Sequence, residues 1–290
     1  GDYMAKIAIL TDSGCQLKIG AQEDQGIFIV PLQITINGQT YQDEVDIKTV
    51  DVFTRIKDEK CIATTSQPAT GVLVEAIEKI KAQGYDHILG ITIASGLSSA
   101  ISGMKVAADM VEIPITLIDS KGTAGNQRYL VEVAHQLIQE GKDIETIQTI
   151  LEDLVNDSCT MIMVTDLQHL KRGGRITPAV ALLAGLLKIV PVMKLNENLG
   201  GKIDSFDKVR TIKKANKRIV DYFKEKGINS NDYVITIEDV LSDELLDEMV
   251  NYTKQELNSD VIDQGPLPAA VGVHMGIGGI GYQYIKKYKA

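Results

Sequence analysis

Positive charge is in short supply in this chain: 30 Lys and Arg stand against 39 Asp and Glu, a net charge of −9 over 290 residues. That balance disfavours wholesale binding to nucleic acid or to an anionic membrane surface, while leaving room for local basic patches. Cysteine is scarce as well. Cys15, Cys61 and Cys159 are odd in number, far apart and outside any CxxC spacing. They exclude a disulfide framework, offer no metal site and suit a reduced, cytoplasmic compartment. Long apolar runs are missing: Ala179 to Met193 is broken by Lys188 and Pro191, short of the roughly 20 residues a membrane-crossing helix needs. The start, Gly1-Asp2-Tyr3-Met4, lacks the basic-then-apolar profile of a signal peptide. Neither a GxxxxGKS/T phosphate loop nor a GxSxG nucleophile turn occurs.

What is present is ordinary globular composition, 44% apolar and 24% charged, at a length that suits two domains. Lys6 to Leu10 reads as a buried strand emptying into Thr11-Asp12-Ser13-Gly14. Phe28 to Ile36 reads as strand, with Asn37-Gly38 turning it into Gln39 to Gln42. Helices over 47–58, 71–81, 98–111, 126–140 and 144–156 alternate with strands over 87–93 and 115–118. Strand–helix alternation implies a parallel sheet covered on both faces. The rhythm changes near Asn156-Asp157-Ser158. Beyond it, strands over 159–165, 189–195, 202–206, 232–237, 261–264 and 270–273 accompany helices over 178–187, 208–226 and 242–257. The expectation is an α/β chain of two domains: 1–158, a three-layer α/β/α unit with a parallel sheet, and 159–290, a two-layer unit with a mixed sheet.

Three loops carry the polar chemistry. Thr64-Thr65-Ser66-Gln67-Pro68 and Ala94-Ser95-Gly96-Leu97-Ser98-Ser99 each end an apolar strand. A further strand, Ala269 to Val273, is expected to run into His274-Met275-Gly276-Ile277-Gly278-Gly279. Loops at the carboxyl ends of strands are where ligands sit in open α/β sheets. These offer hydroxyls, backbone N–H groups and one imidazole, but no carboxylate, which suits holding a small anion at helix N-termini. Each hydroxyl has a plainer reading as a helix cap, Ser98 above all. Ser95 with His274 raises a serine esterase or thioesterase, although no acid is placed to orient the histidine. Gly276 to Gly281 faintly resembles a dinucleotide fingerprint but lacks a following strand and acid. Lys171, Arg172 and Arg175 cluster around Gly173-Gly174, either as a solvated loop or as an anion or partner contact. The apolar run 179–193 fits core or a cavity lining, and Asp12 a pocket wall or a turn stabiliser.

Together these segments resemble the DegV family of bacterial fatty-acid-binding proteins. The resemblance runs through KIAILTDSG at 6–14, TSQPA at 65–69, IASGLSSA at 93–100 and LIDSKGTAG at 117–125. It continues through HLKRGGRITPAVALLAGLLKIVPV at 169–192, KVRTIKKA at 208–215 and VHMGIGGIG at 273–281. It implies a non-enzymatic carrier holding one long-chain fatty acid between its domains and presenting it to a separate fatty acid kinase for phospholipid synthesis. The carboxylate would meet Thr65 and Ser95, with Ser66, Gly96, Ser98 and Met275 around it and His274 in the same network. Arg175 and Arg210 match basic positions assigned to kinase docking or phosphate handling. No cofactor or metal is implied. The first serine of the family's serine-serine-x-leucine-serine pattern is Ala94 here, and TSQPS becomes TSQPA.

Overall fold

The computed structural model describes residues 4–290; Gly1 to Tyr3, part of the start read above for a leader profile, lie outside them. In chain order the first half runs β1 (Ile7–Asp12), β2 (Ile27–Val30), β3 (Gln33–Ile36), β4 (Gln39–Gln42), α1 (Thr49–Glu59) and β5 (Ala63–Ser66). It continues with α2 (Thr70–Ala82), β6 (His87–Thr92), α3 (Ala100–Val111), β7 (Ile115–Asp119), α4 (Ala124–Gln139) and α5 (Ile144–Asn156). The second half runs β8 (Ser158–Met163), α6 (Leu167–Arg172), α7 (Pro178–Leu183), β9 (Val190–Asn196), β10 (Lys202–Val209) and α8 (Ile212–Glu225). Then come β11 (Tyr233–Asp239), α9 (Asp243–Glu256), β12 (Asp263–Pro266), α10 (Ala269–Met275) and β13 (Ile280–Lys286).

Strands β2-β1-β6-β7 form a wholly parallel sheet. Its side chains alternate between two apolar clusters. Ile7 and Ile9 pack with Leu130, Leu137, Ile147 and Leu151 of α4 and α5, while Ala8 and Leu10 pack with Leu73, Ile77 and Met104 of α2 and α3. Burial on both faces is why these strands read as continuous apolar runs. The six-stranded sheet β10-β9-β8-β13-β11-β12 is antiparallel except for β11 beside β12. Helices α8 and α9 cover one of its faces through Ile219, Phe223, Leu246 and Met249. The α/β class with a parallel sheet followed by a mixed one is therefore present.

Four local expectations change. The apolar segment at 269–273 is helix α10, not a strand. It is buried on nearly every side, so it has no polar face to reveal a helical period, and Pro268 precedes its first turn. Gly272 is required there, because a Cβ would collide with the Phe53 ring of α1. The glycine loop that follows is not terminal: β13 succeeds it and lies mid-sheet between β8 and β11. The expected strand 28–36 breaks at Pro31 into β2 and β3, which belong to different sheets, since proline cannot donate to a ladder. Finally, Thr64 to Ser66 is not a turn ending a parallel strand. It belongs to β5 of a third, antiparallel sheet, β4-β3-β5.

Candidate functional site

Between the sheets lies a cavity of about 300 Å³. Its apolar wall comes from Leu32, Ile93, Leu97, Ile162, Leu195 and Leu267, drawn from both halves of the chain. The polar end is assembled from three elements. Strand β5 supplies Thr65, the last turn of α10 supplies His274, and the segment after α6 supplies Arg175.

Thr65 Oγ1 and His274 Nε2 share a hydrogen bond of 2.6 Å. Burial, and after it the nearby charges of Arg175 and His169, push the His274 pKa down to about 3. The imidazole is therefore neutral at physiological pH and acts as a hydrogen-bonding dipole. Gly173 makes room for it: a Cβ there would stand 2.5 Å from His274 Nδ1. His169, one turn earlier on α6, also meets α10, through Nε2 to the Val273 carbonyl at 2.5 Å.

Arg175 donates from Nε to Leu97 O (3.2 Å), from Nη1 to Gly173 O (2.5 Å) and from Nη2 to Thr65 O (3.4 Å). One side chain thus ties the end of α6 to the segments carrying Thr65 and Leu97. Burial alone lowers its pKa, with no acidic group pulling the other way. A half-buried guanidinium satisfied by carbonyls but not by a carboxylate leaves net positive charge at this end of the cavity.

Of the residues singled out from sequence, Thr65, Ser66, Ser98, Arg175, His274 and Met275 border the cavity. Ser98 Oγ also accepts the Ala100 N–H at 3.2 Å, but the N-cap of α3 is Ser99, which makes no side-chain cap bond, so Ser98 supports the helix start from one residue ahead of the cap it was read as. Ser95 and Gly96 lie off the wall. The Ser95 N–H donates to Asp119 Oδ1 at 3.2 Å, and its Oγ sits where a Cβ on Gly200 would collide. Gly96 N–H donates to Gly200 O at 2.9 Å, and a Cβ at Gly96 would fall within 3 Å of Leu199 and Lys202 backbone. These two residues fasten the first half to the β9–β10 turn. Arg210 is exposed just beyond β10. The Ser95–His274 pair needed by an esterase is not assembled, because His274 spends Nε2 on Thr65.

Asp12 proves to be a turn stabiliser. Its carboxylate accepts from Gly14 N, Ile93 N and Gln127 Nε2, while full burial raises its pKa to about 6. The sequence reading gave Gln67 no role within its loop and missed Thr123, Thr160, Glu238 and Gln283, all of which border the cavity. The signal was there for Thr160, Glu238 and Gln283, as polar residues interrupting otherwise apolar strands. Among the described residues there is no group of three or more His, Cys, Asp or Glu able to hold a metal ion. Nor is any described helix long and apolar enough to cross a membrane.

The family model for DegV proteins, described as an uncharacterised family, matches residues 6–287. This chain belongs to the DegV family. A DegV domain-containing protein of Halalkalibacterium halodurans is 31% identical over 98% of the chain and 100% of its own length. Another, from Listeria innocua, is 31% identical over 95% of the chain and 97% of its own length. DegV of Bacillus subtilis, solved as a fatty acid binding protein, superposes with a TM-score of 0.85 at 28% identity, over 98% of this chain and 100% of its own. A fatty acid binding DegV family protein of Streptococcus agalactiae gives 0.88 at 27%, again over 98% and 100%.

Proposed function

We propose that this DegV family protein binds one long-chain fatty acid in the cavity between its two units, 1–158 and 159–290. The carboxylate is held at the Thr65–His274 end, with Ser66, Ser98 and Met275 beside it. The observation that carries the reading is the pairing of an apolar-walled cavity with one polar, net positive end. Burying a hydrocarbon tail gains about 0.8 kcal/mol per CH₂, so a sixteen-carbon chain supplies on the order of 10 kcal/mol before ordering costs. The head group then needs only dipoles and one cation to replace its hydration. When His274 Nε2 carries the ring proton it donates to Thr65, which frees the Thr65 hydroxyl to donate to a carboxylate. That the B. subtilis and S. agalactiae relatives are fatty acid binding proteins supports the same reading.

No residue constellation among those bordering the cavity supplies a nucleophile with an oriented base. In keeping with what the DegV resemblance implies, the protein acts as a carrier that offers the carboxylate to a separate fatty acid kinase in the cytoplasm, for acyl phosphate and then phospholipid synthesis. Exposed Arg210 is assigned to kinase contact, and Ser95 and Gly96 to holding the closed geometry around the head group.

Denaturing mass spectrometry of protein purified from a lipid-containing host tests binding. One equivalent of extractable fatty acid is expected, and protein that neither carries nor takes up any overturns the reading. With kinase and ATP added, Arg210→Ala should slow acyl phosphate formation while leaving lipid content intact.

A further inference from the structure

Buried glycines in this fold answer to a steric need, with one exception. At every other buried glycine among the described residues, an added Cβ would come within 3.4 Å of a neighbouring atom. At Gly281 its nearest contacts would be Leu267 at 3.5 Å and Ile162 at 3.9 Å, ordinary van der Waals distances. The backbone of Gly281 also stays out of the left-handed region. Yet the residue lies within β13, which has strands on both sides, where a missing side chain costs chain entropy and packing. Neither conformation nor crowding requires glycine there. What remains is the space that the absent side chain leaves.

That space belongs to the cavity. Gly281 borders it, as do its register partners Glu238 of β11 and Ile162 of β8. Leu267 and Ile162, toward which a Cβ would point, border it too. The course of β13 places Gly281 along the cavity. Just ahead of this strand, Gly279 packs against Met275, the neighbour of His274, since a Cβ on it would stand 3.0 Å from Met275 Cβ. Gly281 lies about 7 Å farther along the chain and Gln283 about 14 Å.

At Gln283 the wall is drawn together. Its Nε2 donates to Thr123 O at 2.8 Å and to Thr160 Oγ1 at 3.0 Å, and all three residues border the cavity. Ile285, two residues on, packs instead in the apolar cluster under α4 and α5. Gly281 therefore stands between the head-group end and a hydrogen-bonded end wall.

We propose that Gly281 sets the length of acyl chain that the cavity accepts, the tail running over it toward Thr123, Gln283 and Thr160. The inference rests on the fatty-acid reading above and names the residue that selects among acids. A side chain at 281 occupies space that a long tail would fill, and each methylene displaced loses its burial. A chain that ends short of Gly281 does not meet it.

The test is calorimetric titration of the lipid-stripped full chain, unaltered and as Gly281→Ala and Gly281→Val, with laurate and stearate. The unaltered protein should bind stearate more tightly than laurate. Gly281→Ala should weaken stearate binding about fourfold, the worth of one buried methylene, and Gly281→Val about tenfold or more. Laurate affinity should stay within about twofold in both variants. Lipid-free Gly281→Ala should melt no lower than the unaltered protein, because alanine suits a strand better than glycine. A glycine kept for packing would give a lower melting temperature instead. If Gly281→Val fails to fold, the alanine variant decides alone. Losses equal for the two acids, or none for stearate, overturn the inference and leave the fatty-acid reading standing. So does stearate gaining nothing over laurate in the unaltered protein. Failure of both acids to bind the unaltered protein overturns both readings.

Discussion

His274 and Thr65 meet at 2.6 Å across 209 residues of chain, one on the last turn of α10 and the other on β5 of the small antiparallel sheet. Neither element belongs to the parallel sheet whose loops first drew attention. The contact joins the two halves of the protein at the one point where the apolar cavity becomes polar, so it is both a tether and a head-group seat.

Thr65→Val keeps the branched shape that suits a strand and removes only the hydroxyl. It leaves His274 Nε2 without its partner and takes one donor from the head group. Fatty acid affinity should fall about tenfold, the worth of roughly one hydrogen bond to a charged group. Displacement titration measures it, and an unchanged far-ultraviolet dichroism spectrum separates this loss from unfolding. An unaltered affinity would remove Thr65 from the site.

Gly173→Ala places a methyl group 2.5 Å from His274 Nδ1. Gly173 closes α6 with right-handed backbone, so alanine suits its dihedrals and the strain falls on the imidazole. Weaker fatty acid binding with little change in melting temperature is expected. Tighter or equal binding would show that the imidazole's position is irrelevant to the ligand.

Arg175→Met removes the charge that, after burial, does most to disfavour the imidazolium. The His274 pKa should rise from about 3 toward its ordinary value, as followed by NMR titration of the ring. The same substitution removes a brace on the Thr65 and Leu97 carbonyls, so lipid retention should drop with it. A His274 titration that does not move would mean that burial sets it alone.

Glu238→Gln tests a stability linkage. The folded-state pKa of Glu238 is raised from 4.5 to about 7, so the native protein holds this proton more tightly than the unfolded chain. Its contribution is fully present below about pH 4.5 and is lost as pH rises through 7. Glutamine, which never ionises, should therefore raise the melting temperature at pH 8, by about 1–3 kcal/mol of stability, and change it little at pH 4.5. Thermal unfolding at the two pH values decides, and an equal effect at both would remove ionisation as the cause.

The strands Ile7–Asp12, His87–Thr92 and Ile115–Asp119 and the helices of the first half were legible because each repeats a local pattern. Apolar runs buried on both faces alternate with helical periods, and that combination permits little besides a covered parallel sheet. The hydroxyl and glycine loops were legible as candidate sites for the same reason, being short polar segments where apolar ones stop.

Segment 269–275 was not legible, because a helix buried all round has no periodicity to distinguish it from a strand. Nor did anything local announce that Pro31 sends β3 into a separate sheet, or that β13 inserts between β8 and β11. The family resemblance, more than residue type, nominated Thr65, Ser95 and His274 for one head-group site and set Arg175 apart as a partner contact. Only the tertiary structure brings Thr65, Arg175 and His274 to one cavity end and turns Ser95 toward Gly200. Composition and period are properties of neighbours in sequence, and they set those elements whose local pattern is distinctive. Which side chains share a cavity depends on sheet order and register across hundreds of residues, and that is settled by packing.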